Sequence, residues 1–162
     1  MIRNVFVIDD SGQALIAANF GECHSLGEDG GMVSSLIRAI HTFAQMLSTS
    51  SVDQIDLGSL TFILLLREGL IFAVAVDDDN VEEHIPTAQR IVSTFVEQHN
   101  SGIQNLAEKD LDTVSSDFAK VLVNRGLAEQ NCGKNLGCRD CENQENTFPI
   151  EQAESRLSKK MQ

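Results

Sequence analysis

Residues 60–76 read LTFILLLREGLIFAVAV, two apolar runs on either side of Arg67, Glu68 and Gly69. Short apolar runs that are bounded by a turn signal and rich in β-branched residues are typical of strands. Both runs are apolar at consecutive positions, which is the pattern of central strands covered by helices on at least one side. Gly69 supplies the positive φ that a tight turn needs. The sequence therefore predicts a β-hairpin in the middle of a sheet.

The N-terminal segment indicates a second hairpin. Residues 2–8 and 14–20 are mainly apolar, with Val5 to Ile8 continuous, and the turn residues Asp9, Asp10, Ser11 and Gly12 lie between them. Asp side chains accept bonds from nearby backbone N–H groups and Gly adopts the left-handed conformation, so both favour a turn. A weaker strand is predicted over residues 52–57, which brings the number of strands to five.

Between the two hairpins lies the clearest helical periodicity of the chain. Apolar residues recur there at steps of three and four: Met32, Val33, Leu36, Ile37, Ile40, Phe43, Ala44 and Leu47. This spacing predicts a helix with one buried face. His41 falls beside these residues, and we expect it on the flank of the helix.

Two further helices are predicted after the central hairpin. The first covers residues 81–96, and its regular part is expected to begin near Ile85, because Pro86 is tolerated only in a first turn. The second includes residues 106–122 and ends at Gly126, which fits a helix C-cap. The order ββαβββαα predicts an α+β fold, a five-stranded antiparallel sheet with helices packed on it. We assign residues 1–126 to this domain and residues 127–162 to a Cys-containing C-terminal extension, flexible or metal-binding.

This order resembles the longin domain of membrane-trafficking proteins, which has a profilin-like architecture. The resemblance is carried by the opening strand with its Asp-Ser-Gly turn, by the helix of residues 32–47, and by residues 60–76, which lead into a helix ending near His99. It covers about three-quarters of the chain and rests on element order and hydrophobic pattern. The related roadblock domain places a helix before its first strand, whereas a strand begins here almost at Met1.

The resemblance implies a non-enzymatic protein-interaction module that binds partners through an exposed sheet edge or through the first helix. It implies a scaffold or regulator of small GTPases in a vesicle-trafficking-like assembly, whose partner is a small GTPase or another longin or roadblock protein in a homo- or heterodimer. A roadblock-type GTPase regulator is the alternative. No heptad helix or membrane anchor follows the domain in this sequence, which argues against a SNARE role. Exposed apolar residues on the first helix or at residues 52–57 would mark the partner surface.

The charge of the chain excludes one class of partner. The 162 residues include 24 Asp and Glu against 12 Lys and Arg, a formal net charge of −12, and contain neither Trp nor Tyr. Nucleic-acid affinity depends on Lys and Arg near phosphates and on aromatic stacking, so no nucleic acid is expected as a ligand. The apolar runs are too short to cross a bilayer and no signal peptide is recognisable. We expect a cytoplasmic protein that meets membranes only peripherally, through partners.

The sharpest local motif is a cysteine cluster in the C-terminal extension, formed by Cys132, Cys138 and Cys141. A Cys-x2-Cys pair can hold zinc, because two thiolates at that spacing reach one tetrahedral centre. A tetrahedral zinc site needs four ligands, and the three cysteines supply only three. The fourth ligand could be Cys23, His24, His84 or His99, or a residue of a second chain. Free thiols, a disulfide and a thiol- or zinc-dependent activity are the alternatives.

Other candidate sites have simpler interpretations. Asp9, Asp10 and residues 77–79 are acidic, but their spacing does not match a calcium-binding loop, and we interpret them as turn and cap residues. The glycine-rich residues 21–31 lack the phosphate-loop pattern and place carboxylates where a phosphate would lie. No nucleophile elbow is present. The sequence therefore predicts no catalytic residue and no cofactor other than the candidate zinc.

Overall fold

The computed structural model of the protein describes residues 1–20, 30–47, 52–57, 60–76, 80–99, 102–106 and 108–129. Its elements in chain order are β1 (Ile2–Ile8), β2 (Ala14–Asn19), α1 (Gly30–Leu47), β3 (Gln54–Asp56), β4 (Thr61–Arg67), β5 (Leu70–Val76), α2 (Val81–His99), a 3-10 turn (Ile103–Asn105) and α3 (Leu111–Asn124). The five strands form one antiparallel sheet in the order β2-β1-β5-β4-β3. The predicted fold class and element order are confirmed.

The central hairpin is where the sequence places it. Strands β4 and β5 pair from Thr61 opposite Val76 to Arg67 opposite Leu70, and β1 lies on the other side of β5. Glu68 and Gly69 have φ values of 54° and 79°. Two consecutive positive φ values are characteristic of the type I′ turn, whose twist matches that of the strands it joins. Every residue of β5 is buried, as expected of a central strand covered on both faces.

A single carboxylate, that of Asp9, organises the turn of the first hairpin. Asp9 Oδ1 accepts hydrogen bonds from the Ser11 backbone N–H at 2.9 Å, the Ser11 hydroxyl at 2.6 Å and the Gln13 N–H at 2.9 Å. Gly12 takes a φ of 89°. Partial burial acts to raise the pKa of the Asp9 carboxyl, but these hydrogen bonds hold it below its usual value. The interpretation of Asp9 as a turn residue is confirmed.

Helices α2 and α3 cover one face of the sheet. The centre of this core is Phe95, whose ring makes edge-to-face contacts with Phe72 at 5.2 Å and with Phe118 at 5.7 Å between centroids. Helix α2 begins at Val81, the first residue of the predicted range, and is α-helical from there rather than from near Ile85, although it contains Pro86. The Glu83 N–H donates to the Asn80 carbonyl at 3.2 Å and closes the first turn despite the proline.

Helix α3 is shorter than predicted, since residues 103–105 form a separate 3-10 turn. The Asp110 side chain caps its N-terminus by accepting from the Thr113 N–H at 3.0 Å. Gly126 ends it with a φ of 66°, and the Leu127 N–H donates to the Leu122 carbonyl at 2.9 Å. This bond is that of a Schellman C-cap. Leu127 and Ala128 then pack into the core on this face.

Helix α1 covers the opposite face. It inserts Val33 and Ile37 into a smaller core with Phe6, Phe62 and other residues of β1, β4 and β5. Strand β5 contributes Ala73 and Ala75 to this core. None of the helices in the described ranges combines the length and the hydropathy needed to cross a membrane.

Candidate interaction surface

Helix α1 directs its larger apolar side chains away from the sheet. Its buried residues are Val33, Ser34, Ile37 and His41, two of which are polar. The prediction of a single buried apolar face is therefore wrong for this helix, because Met32, Leu36, Phe43 and Leu47 lie on the solvent side. His41 is 1% exposed, whereas the sequence placed it on the flank. The helix is apolar on two sides, and the sheet covers only one of them.

We call the solvent-facing apolar residues of α1 the outer stripe. It consists of Met32 (61% exposed), Leu36 (50%), Phe43 (62%), Met46 (80%) and Leu47 (71%), together with the exposed Ala39 between them. Two other large apolar side chains are exposed in the described part of the chain, Leu66 on β4 and Ile85 on α2. Contiguous exposed apolar residues of this kind mark interaction sites, while single ones are ordinary. The outer stripe is thus the strongest candidate site on the described surface.

A shallow groove extends this apolar surface from α1 towards β3. It encloses about 40 Å³, and all of the residues that line it are apolar. Helix α1 contributes Met32, Val33, Leu36, Ile37 and Ile40. The sheet side contributes Ile55 of β3, Leu57 just after β3, and Phe62 of β4. The groove is too small for a metabolite-sized ligand, since such pockets enclose about 300 Å³ or more. It can accept one apolar side chain of a protein partner.

Strand β3 forms the sheet edge next to the groove. The Leu64 N–H donates to the Asp53 carbonyl at 2.8 Å, and the Leu57 N–H donates to the Leu60 carbonyl at 2.8 Å. Because the bonding direction alternates along an antiparallel strand, the backbone groups of Gln54 and Asp56 point away from β4. Among the described residues, β4 is the only strand paired with β3. These backbone groups therefore face the open edge of the sheet.

Side-chain bonds hold a negative charge on this edge. Asp56 accepts from the Thr61 hydroxyl at 2.7 Å and from the Gln54 amide at 2.9 Å. These two bonds, the one from Thr61 first, hold the pKa of the Asp56 carboxyl below its usual value. Short strands and charged side chains are common at edges that must not aggregate with other strands. The edge thus resists indiscriminate pairing, while the outer stripe beside it stays apolar.

The opposite edge of the sheet is closed. Helix α3 packs on β2, and the buried Ser115 hydroxyl accepts a hydrogen bond from the Ala17 N–H at 2.8 Å. The Ser115 side chain thus satisfies a backbone N–H group of this edge strand. Of the two edge strands, β3, which lies beside the outer stripe, is therefore more accessible to a pairing strand than β2.

The outer stripe lies on a helix with few charges. Helix α1 has two ionisable residues, Arg38 and His41, and no acidic residue. Helix α2 is of similar length and has six: Glu82, Glu83, His84, Arg90, Glu97 and His99. The absence of acidic residues from α1 stands out in a chain with a net charge of −12. Depletion of charge is typical of the centre of a protein–protein interface.

The apolar spacing of the outer stripe is present in the sequence, but it overlaps with the apolar spacing of the buried face, and the two were predicted as one face. The residues at positions 32, 36, 39, 43 and 46 follow the alternating steps of four and three that define a heptad seam. Val33, Ile37 and Ala44 belong to a separate set that faces the sheet. Separating two such sets requires knowing where the sheet lies, but the absence of acidic residues from the helix was visible in the sequence.

The predicted metal-site residues Cys132, Cys138 and Cys141 lie outside the described residues, as do Cys23, His24 and residues 77–79. The two remaining candidate ligands, His84 and His99, lie at opposite ends of α2. Within the described ranges, no three His, Cys, Asp or Glu side chains are grouped so that they could hold a metal ion.

One histidine lies in a cavity far from the outer stripe. His99 stacks on Phe95 at 4.7 Å between ring centroids, in a cavity of about 330 Å³ that Lys109 and Asp117 also line. Burial, and then the positive charge of Lys109, lower the pKa of His99. This histidine therefore sits at the junction of α2 and α3, where it is packed mainly against aromatic rings.

No protein-family model matches the chain, and no curated protein is significantly similar to it. Functional information about this molecule therefore comes from its own geometry, above all from the outer stripe, the groove and the open β3 edge.

Proposed function

We propose that this protein is a non-enzymatic, longin-like interaction module that acts as a scaffold or regulator of small GTPases in a trafficking-like assembly. Its binding surface is the outer stripe of α1 with the adjoining groove. The partner in this proposal is a small GTPase or another longin or roadblock protein, met in the cytoplasm, and membranes are reached only through such partners.

The observation that supports the proposal most is the outer stripe itself. Leaving five large apolar side chains in water gives up a burial free energy of about 1.5–3 kcal/mol for each that a partner could cover completely. Exposed apolar side chains do not add to the stability of the folded domain, but they add to the free energy of binding when a partner covers them. The element order adds a second support, because it is the ββαβββαα order on which the longin resemblance rests.

The proposal is tested by direct binding measurements with purified proteins. A panel of small GTPases, each loaded with GDP or with a non-hydrolysable GTP analogue, is titrated against the full chain by calorimetry or interferometry. We expect micromolar or tighter binding to at least one of them, which corresponds to about −8 kcal/mol or better. Leu36→Glu should weaken that binding at least tenfold, since it places a charge in the interface.

The matched control is Ile85→Glu, which introduces the same charge at an exposed apolar residue of α2. It should bind like the wild-type chain. Absence of binding to every GTPase and to purified longin and roadblock domains would contradict the proposal. Equal weakening by both variants would assign the effect to net charge rather than to the outer stripe.

A further inference from the structure

The cavity beside His99 lies between the C-terminal end of α2 and one side of α3. It encloses about 330 Å³, and known small-molecule sites, which often lie between helices, enclose about 300 Å³ or more. Helix α1 contributes no lining residue, so the cavity is separate from the outer stripe. Helix α3 lines it with side chains three and four positions apart, which share one side of a helix. They are Val114, Asp117, Phe118 and Val121.

Two nitrogen-bearing side chains line this cavity together. His99 is the last residue of α2, and Lys109 lies just before the N-cap of α3. The two are close enough that the positive charge of Lys109 contributes to the lowered pKa of His99. Among the described residues, no carboxylate forms an ion pair with Lys109. The positive charge on this side of the cavity is therefore not balanced by the described part of the protein.

The acidic residue of the cavity wall already has a partner. The Asp117 carboxylate accepts from the Lys120 ammonium at 3.0 Å, and Lys120 does not line the cavity. Both side chains are about two-thirds exposed, so the pair contributes little to stability. It nevertheless offsets the negative charge of Asp117. A ligand that enters the cavity thus meets Lys109 and His99 as the groups available to an anion.

The rest of the cavity is mainly apolar. Leu106 and Phe118 form its most buried part, and the Val114 and Val121 side chains are half-buried beside them. The His99 ring lies 6.4 Å from that of Phe118 between centroids. A wall of this kind covers an aliphatic or aromatic group, while a few polar groups fix its orientation.

We propose that this cavity binds a small organic acid, in which a carboxylate is attached to an apolar or aromatic body. The Lys109 ammonium and the protonated His99 imidazole donate to the carboxylate, in the charge-assisted hydrogen bonds that are the strongest of their kind. The body packs on Phe118 and its apolar neighbours. This site adds a ligand-binding function to the domain, and it stands independently of the proposed function because no residue of α1 takes part.

Binding of the acid is linked to protonation of His99. In the free protein, burial and the charge of Lys109 both disfavour the imidazolium form. The charged groups that line the cavity with His99 are Lys109 and Asp117. A bound carboxylate compensates the charge of Lys109 and raises the pKa of His99 relative to the free protein. Affinity should therefore increase as pH falls from about 7.5 to about 5.5.

Titration of the purified full chain with phenylacetate, followed by NMR of backbone amides and histidine rings, tests the proposal. We expect saturable shifts around His99 and Phe118, with a dissociation constant of about 0.1–10 mM for a ligand of this size. Phenylacetamide is the matched ligand, because it has the same shape without the charge. It should bind at least about tenfold more weakly.

Four variants separate the charges of the cavity from those elsewhere. Lys109→Gln should weaken phenylacetate binding at least about fivefold, and His99→Gln should weaken it and remove its pH dependence. Asp117→Asn should strengthen binding, since it removes a negative charge from the wall. Arg90→Gln is the matched control, because it removes a cation from an exposed position of α2 outside the cavity. Lys109 is exposed, so its replacement leaves the fold intact, which the amide spectrum verifies.

A carboxylate of this chemistry has two sources, a free acid or the C-terminus of a peptide. Acetyl-Gly-Phe with a free carboxylate is therefore compared with its C-terminal amide. Preference for the free carboxylate supports the proposal with a peptide end as the source, whereas binding of phenylacetate alone supports it with a free acid. Three results would overturn it. These are equal binding of phenylacetate and phenylacetamide, weaker binding by Asp117→Asn, and no saturable shift at the cavity up to about 50 mM of either acid.

Discussion

The two faces of the sheet are covered in different ways. Helices α2 and α3 together bury one face, and the large aromatic residues Phe95 and Phe118 are turned fully inward there. Among the described residues, α1 is the only helix on the other face, and it buries two large apolar side chains and leaves five exposed. The comparison teaches that apolar content does not by itself indicate burial. Contiguous apolar residues that a helix leaves exposed are typical of interaction surfaces.

The largest expected difference in stability is between removing a buried Phe ring from α2 and removing an exposed Phe ring from α1. Phe95→Ala should destabilise the domain by about 3–5 kcal/mol, because the ring is fully buried and its loss leaves a cavity. Phe43→Ala should change the free energy of unfolding by less than about 0.5 kcal/mol, because that ring is already in water. Urea denaturation of both variants, at concentrations well below the dissociation constant of any dimer, measures the difference. A large loss from Phe43→Ala would mean that the ring is covered within the monomer.

A smaller effect is expected at the closed edge of the sheet. Ser115→Ala removes the acceptor of the Ala17 N–H and leaves that donor unpaired beside α3, at a cost of about 1–3 kcal/mol. Amide exchange at Ala17 should also accelerate, which reports on the bond directly. Ser116→Ala is the matched control, since Ser116 is exposed on the same helix and should alter neither quantity. If Ser115→Ala leaves Ala17 exchange unchanged, α3 does not close this edge through that bond.

The smallest effect is a pH dependence confined to the α2–α3 side. The pKa of His99 is lowered in the folded state from 6.5 by burial and by Lys109, so the unfolded chain binds a proton more readily. Stability should therefore fall as pH drops below about 6.5 and through the lowered folded pKa, and should be independent of this residue above that range. Denaturation at several pH values should show a shallower loss for His99→Gln than for wild type.

Much of the fold was predictable because its signals are local. Two consecutive apolar runs around Glu68 and Gly69 allow little besides a hairpin, and Asp9 with Gly12 encodes the other turn. Gly126 ends α3 by adopting a conformation that other residues avoid. The start of the regular part of α2 was placed too late because Pro86 suggests a boundary, whereas the helix already begins at Val81, where the Glu83 N–H bonds to the Asn80 carbonyl.

The candidate site was only partly predictable, for a physical reason. The first helix and residues 52–57 were expected to mark a partner surface if apolar residues were exposed there. Which residues are exposed depends on how α1 is rotated about its axis, and in the folded domain Val33 and Ile37 are the apolar residues of α1 that join the core with Phe6 and Phe62. Periodicity reports that a helix has an apolar side, but on a helix with two such sides it does not report which one the sheet covers.

The sequence by itself determined the strands, the turns and the order of elements, because these depend on residues close together in the chain. It also determined the net charge and the scarcity of charge in residues 30–47. The tertiary structure alone decided that Ser34 and His41 face the core while Leu36 and Phe43 face water, and that β2 is closed while β3 is open. These properties depend on contacts between distant segments, and a local pattern of residues does not specify which of its apolar sides such contacts cover.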